Sequence, residues 1–142
     1  MSEAAIEVVR DQFAATNDRN FERAMELYTD DVVLIASELA GPTPGSYEGK
    51  QAVGEWFGDW FRTFDHDYHF EIDEARTLSE GLVFMYARHG GSGRLSGVEV
   101  HSANAYLYRV HAGQISRVGF FATREEALEA ASLPEWSKDE TD

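Results

Sequence analysis

Polar tips set among aromatic rings are the chemistry-bearing pattern of this sequence. Along Val98 to Val110, the residues Val98, Val100, Ser102, Asn104, Tyr106, Tyr108 and Val110 alternate with Glu99, His101, Ala103, Ala105, Leu107 and Arg109, the period of a strand with two distinct faces. Asn104 and Tyr106 share one of them. An amide and a phenol in an aromatic setting can orient a carbonyl or hydroxyl, but neither titrates near neutrality, so neither shuttles a proton unaided. Val118 and Phe120 on the next strand, with Trp56 and Trp60 on a helix, complete the expected wall of a pocket. Such a wall suits a small, largely apolar molecule with one or two polar groups.

The other ionisable clusters read more blandly. His66 and His69 would fall on opposite faces of a strand, and no third ligand stands at a recognisable interval, so neither a metal nor any other cofactor is expected. His69, Glu71 and Asp73 alternate with Tyr68, Phe70 and Ile72 as a solvated face. Glu99 and His101 share the outer face of their strand as a surface pair. There is no serine-histidine-acid order, and Gly90-Gly91-Ser92-Gly93 lacks the strand-to-helix setting of a phosphate loop; it reads as a flexible loop.

Several elements must position these residues. Ile6, Val9 and Phe13 recur at helical spacing between Glu3 and Thr16, and Asn17 to Asn20 breaks that helix. A short second helix runs from Phe21 to Tyr28, followed by a strand from Val32 to Ala36. Two prolines and two glycines make Gly41 to Gly45 a loop. A third helix from Lys50 to Phe64 carries the stripe Val53, Trp56, Phe57, Trp60, Phe61 and Phe64. Strands follow near Asp67 to Thr77 and Leu82 to Gly90, then the long strand and its hairpin partner. A two-residue turn at Ala112-Gly113 would force alanine to positive φ, so a three-residue loop with Gly113 as bulge residue is expected. That register sets Asn104 opposite Phe120, Tyr106 opposite Val118, Tyr108 opposite Ser116, Ala105 opposite Gly119 and Leu107 opposite Arg117. Thr123-Arg124-Glu125-Glu126 is a capping box for a last helix through Ala131.

The order of elements gives an α+β fold, a curved and mainly antiparallel sheet with helices on one face. A chain of 142 residues that is 43% hydrophobic makes one domain, 1–133, followed by an acidic tail, 134–142, that frays unless Trp136 docks. Acids outnumber bases 26 to 12, which argues against nucleic acid or an anionic membrane surface as partner. No apolar run approaches a membrane span, and Met1-Ser2-Glu3 lacks the marks of a signal peptide, so the cytoplasm is the expected compartment. Zero cysteines exclude thiolate zinc sites and disulfides.

Asp18 to Asp31 with its strand, Gly49-Lys50-Gln51-Ala52-Val53, Gly113-Gln114-Ile115 and Arg124 to Ala131 together resemble the SnoaL-like branch of the nuclear-transport-factor-two-like superfamily. The resemblance covers roughly Glu3 to Leu133 and implies a cone with a blind internal pocket. It includes ketosteroid isomerases, polyketide cyclases, dehydratases and non-catalytic modules, so fold alone selects no activity. At the isomerase positions this chain has Gln12 for the tyrosine, Ala36 for the base, and Tyr106 or Ala105 for the late aspartate. Tyr86-Ala87-Arg88-His89-Gly90 resembles a cyclase strand motif, but Phe120 stands for the acid/base aspartate, and Asn104 and Tyr106 for its glutamine and histidine. The usual acids are therefore absent, and the leading expectation is a ligand-binding protein contacting its ligand through Trp56, Trp60, Asn104, Tyr106, Val118 and Phe120. The competing expectation is a cofactor-free isomerase, cyclase or dehydratase using His89, whose place in the motif reaches the pocket mouth, or Tyr106. A third is a structural dimer, and a homodimer through Ala103, Ala105, Leu107 and Phe121 is expected in any case. A cone filled by Trp56, Trp60 and Phe120 would leave no pocket.

Overall fold

Apolar residues at three- and four-residue spacing build α1 (Ser2–Asn17), and its last turn stops where Arg19 takes a left-handed φ of 61°. The computed structural model describes residues 2–37, 44–63, 68–92 and 99–136, with the side chains of 2, 3, 60–63, 99 and 100 outside that description. After α1 come α2 (Phe21–Glu26), β1 (Tyr28–Ala36), β2 (Gly45–Glu48), α3 (Lys50–Thr63), β3 (His69–Ser79), β4 (Leu82–Ser92), β5 (Glu99–His111), β6 (Gln114–Phe121) and α4 (Arg124–Ala131). A 3-10 turn over Pro134–Trp136 follows. The strands form one six-stranded sheet in the order β2-β1-β6-β5-β4-β3, antiparallel throughout except for the β1–β6 pair, which is parallel. This is the expected α+β architecture.

Four local expectations need correction. The hairpin between β5 and β6 does use a two-residue turn, with Ala112 at φ 51° and Gly113 at φ 80°. The extra residue sits instead in β6, where the register slips between Arg109↔Arg117 and Val110↔Ile115 and Ser116 bonds the Arg109 carbonyl at 3.3 Å. Pairing is therefore Tyr106↔Phe120, Tyr108↔Val118, Leu107↔Gly119 and Ala105↔Phe121, two residues away from the expected register. Because side chains alternate with period two, a slip of two leaves every residue on its expected face. The second helix stops at Glu26, and Tyr28 already belongs to β1. β2 was not anticipated: only Ser46, Tyr47 and Glu48 follow the glycine of the proline-rich loop, too short a run to show a period.

The fourth correction concerns Gly90-Gly91-Ser92, which continues β4 and pairs with Glu99, Val100 and His101; Gly93 lies outside the described residues. A Cβ on Gly91 would lie 2.5 Å from the Tyr68 Cα. The glycine is there because another backbone passes close, not because the chain needs freedom.

Two apolar layers hold the sheet. On its inner face α1 and α3 bury Val9, Phe13, Val53 and Trp56 against Leu34, Phe70, Met85, Tyr106, Tyr108, Val118 and Phe120. On the outer face Ala105, Leu107, Phe121, Leu82 and Phe84 are buried beneath Ala127 and Trp136. The expected dimer surface is thus covered by the chain's own C-terminal elements: Ala105 and Leu107 have no exposure and Phe121 has 8%, leaving Ala103 half-buried at its end. Trp136 docks fully, its ring where a Cβ on Gly119 would be 2.8 Å away. The Thr123 box forms as expected, with Glu126 N–H donating to Thr123 Oγ1 and Ala122 N–H to Glu126 Oε1, both at 3.1 Å. Among the described residues no helix is long and apolar enough to cross a membrane.

Candidate functional site

The inner face gathers aromatic rings from five elements around one point. Phe13 of α1 meets Phe70, Tyr106 and Tyr108 edge-on at 5.9, 5.6 and 6.0 Å between ring centres. Phe120 of β6 meets Tyr106 at 4.8 Å, Trp56 at 5.1 Å and Phe57 at 5.8 Å. Edge-to-face pairs of this kind hold their geometry through the ring quadrupoles. At the centre they leave a cavity of about 20 Å³ bordered by Gln12, Phe13, Thr16, Phe57, Phe70, Tyr106, Tyr108 and Phe120.

The polar groups on that border are uncharged, and two are already committed. The Thr16 hydroxyl donates to the Gln12 carbonyl at 2.8 Å and accepts from Gln12 Nε2 at 3.0 Å. Tyr106 differs. It is 1% exposed, and its hydroxyl has no hydrogen-bond partner among the described residues. Burial pushes its phenol far above the ordinary tyrosine range, and the nearby Tyr68 phenol adds to the shift, so Tyr106 stays a neutral donor at any working pH. The hydroxyl of Tyr28 is likewise buried and unpartnered among the described residues, and burial raises its pKa as well.

Beside the aromatic cluster runs a line of polar contacts. Tyr68 Oη lies 2.5 Å from His89 Nδ1, His89 Nε2 lies 2.5 Å from Asn104 Oδ1, and Asn104 Nδ2 donates to the Phe121 carbonyl at 3.1 Å. His89 is buried, and desolvation lowers its pKa, opposed by the hydrogen bond to Asn104 that favours the imidazolium. The start of β3, with Tyr68 just before it, is held by the end of α1. Asn17 pairs with both the N–H and the C=O of Phe70, at 2.7 and 2.9 Å, as a neighbouring strand would, and the Arg19 guanidinium bonds the Tyr68 carbonyl.

Of the residues expected at the site, Tyr106 and Phe120 border the cavity. Trp56 is buried directly behind Phe120, and Val118 is fully buried in the same core without reaching the cavity. Trp60 lies on α3 with its side chain outside the described residues, and His66 lies outside the described residues. Asn104 is on the inner face, but both ends of its amide are engaged by His89 and Phe121. His89 is buried in that line rather than open at a mouth. Gln12, Phe13, Thr16, Phe57, Phe70, Tyr68 and Tyr108 were not anticipated as site residues. Gln12 had one signal: the family resemblance sets it at the position of the isomerase tyrosine.

A curved sheet wrapped on helices around an aromatic interior defines a class, and the chain belongs to it: residues 9–118 match the SnoaL-like domain, within the nuclear-transport-factor-two-like superfamily. No curated protein matches the sequence. Among solved structures it is similar to Bal32a from a soil-derived mobile gene cassette, at 16% identity over 91% of this chain and 96% of that one, with a TM-score of 0.76. It is also similar to RV0760c from Mycobacterium tuberculosis in complex with estradiol-17beta-hemisuccinate, at 19% identity, 88% and 97% coverage and a TM-score of 0.71. A computationally designed 17-OHP binder aligns at 20% identity over 88% and 96% of the two chains, with a TM-score of 0.71.

Proposed function

We propose that this protein binds a small, largely apolar molecule inside the cone, with an oxygen of that molecule meeting Tyr106. The observation that carries the reading is the Tyr106 hydroxyl, buried beside a cavity with no hydrogen-bond partner among the described residues. Leaving a buried hydroxyl unsatisfied costs about 1–3 kcal/mol, a cost that a ligand oxygen removes. All side chains bordering the cavity are uncharged, so an ion entering it would lose its hydration without compensation; the ligand is neutral at its buried end. One similar structure holds estradiol-17beta-hemisuccinate and another is a designed 17-OHP binder, which supports the reading of a small-molecule pocket.

The space available is that of one water. A ligand therefore enters by displacing rings, and Phe57, only partly buried on α3 and in contact with Trp56, Phe120 and Tyr28, is the ring whose movement widens the cavity. The aromatic core filling the remainder is the observation that favours the rival reading of a packed structural module.

Native mass spectrometry of the purified protein against its denatured mass, followed by extraction, tests for a retained compound. Titration with 2-naphthol, followed by tryptophan fluorescence, tests the pocket directly. Tyr106→Phe should weaken 2-naphthol by about 3–10-fold, and Phe57→Ala should strengthen it. A 2-naphthol affinity unmoved by both variants would refute the reading. Self-association, if it occurs, uses a face other than the one under α4, and light scattering at micromolar concentration measures it.

A further inference from the structure

α3 carries two glycines, Gly54 and Gly58, four residues apart and so on one face of the helix. Glycine in a helix interior is unfavourable against alanine, because it loses the most backbone freedom on folding. At Gly54 nothing in the closed structure asks for it. Its φ is not positive, and a Cβ there would meet Met25 Cε at 3.6 Å, an ordinary van der Waals contact. Gly91 and Gly119 are different, since a Cβ there would lie 2.5 Å from the Tyr68 Cα and 2.7 Å from the Phe121 ring. Those two glycines are explained by packing, and Gly54 is not.

The start of α3 is pinned. Gly49, at φ 93° with nothing within 4 Å of where a Cβ would stand, donates its N–H to the Val32 carbonyl at 2.7 Å and accepts from the Val53 N–H at 3.0 Å. Lys50 reaches Asp30 of the same strand, β1, at 3.6 Å. Between the two glycines stand the rings that close the cavity. Trp56 is buried against Phe120, and Phe57 borders the cavity in contact with Trp56, Phe120 and Tyr28. Another face of the helix, with Lys50, Gln51, Gly54, Glu55 and Gly58, borders an open groove of about 590 Å³ beside Met25 of α2. One helical turn therefore separates a void of about 20 Å³ from solvent, and a glycine stands at each end of that turn.

We propose that α3 is the gate of the cavity. Its first turn stays pinned to β1 while the turn bounded by Gly54 and Gly58 opens, withdraws Phe57 and admits the ligand. The turn then re-forms with the ring set aside. This gate serves the binding reading above and rests on it. The glycine at residue 54 lowers the cost of opening, which is a use for the helix stability it gives away. Because opening precedes both entry and exit, a change that favours the helical turn slows both equally and leaves the affinity unmoved.

Gly54→Ala tests the gate, since it favours the helix, faces Met25 and borders no part of the cavity. In stopped-flow tryptophan fluorescence with 2-naphthol, association and dissociation should both slow by about 2–5-fold, with the dissociation constant unchanged. Amide hydrogen exchange in the wild-type protein needs no variant to fold. Glu55 to Gly58 should exchange through an opening far more frequent than that of Val9 to Phe13 in α1, and Gly54→Ala should slow the first group alone. Rates unmoved in Gly54→Ala, at a raised urea midpoint, overturn the gate and leave the binding reading standing. A wild-type α3 as protected between Glu55 and Gly58 as α1 does the same. If 2-naphthol binds neither protein, both readings fall.

Discussion

Replacing Tyr106 by phenylalanine should make the unliganded protein more stable, the reverse of most core substitutions. The ring contacts with Phe13, Tyr108 and Phe120 survive the change, since only the hydroxyl is removed. That hydroxyl is buried without a partner among the described residues, at a cost of about 1–3 kcal/mol, and deleting it leaves a gap of a single oxygen beside an existing cavity. The net gain is about 1–2 kcal/mol, which for a chain near this length raises the melting midpoint by roughly 2–8 °C. Tyr68→Phe is the control, because its hydroxyl bonds His89; losing that buried hydrogen bond should cost about 1–3 kcal/mol. Urea and thermal melts of the three proteins, without added ligand, measure both. A Tyr106→Phe protein that melts below wild type would refute the claim that the hydroxyl is orphaned, and an unchanged midpoint would mean that a trapped water already satisfies it.

Trp136→Ala should cost about 3–5 kcal/mol in a urea melt, since the ring is 1% exposed over Gly119 and Arg117. Gly91→Ala should destabilise by more than an ordinary strand substitution, because the new methyl meets the Tyr68 backbone rather than a movable side chain; a circular dichroism melt within 1 °C of wild type would contradict this. His89 is held neutral, its folded pKa lying below the unfolded value of about 6.5. The unfolded chain therefore binds more protons as pH falls through 6.5 toward the folded pKa, and stability declines over that window. The urea midpoint should drop there in wild type with a slope that flattens in His89→Gln.

Much of the inner face is legible in the sequence because the alternation from Val98 to Val110 is a two-state code. Even with the hairpin register displaced by two, Asn104, Tyr106 and Phe120 stayed on the inner face. The turn is not legible from local cost alone: the penalty for Ala112 at positive φ is real, but the primed two-residue turn suits the twist of the long β5–β6 ladder. The outer face was misread because its small residues, Ala103 and Ala105, are equally suited to a partner chain and to this chain's own Trp136. No period in the sequence tells the two apart. The cavity border was largely invisible for a different reason. Phe13, Thr16, Phe57 and Phe70 come from three separate elements, and only packing selects which core residues surround a void. The line through Tyr68 and His89 joins residues 21 apart, then 15 apart to Asn104, spacings that match no local motif.

The parallel pairing of β1 with β6 has a consequence during synthesis. β1, with the run Val32-Val33-Leu34-Ile35, cannot gain that neighbour until β6 has left the ribosome. At about 5–20 residues per second, roughly 4–17 s pass between the emergence of Ala36 and that of Phe121. Through that interval an apolar strand has only the four residues of β2 to pair with, and an unpaired edge of this kind is a site for association with other nascent chains. The last third of the polypeptide therefore acts as a delayed shield for the first, and any truncation before β6 should yield insoluble material rather than a smaller domain.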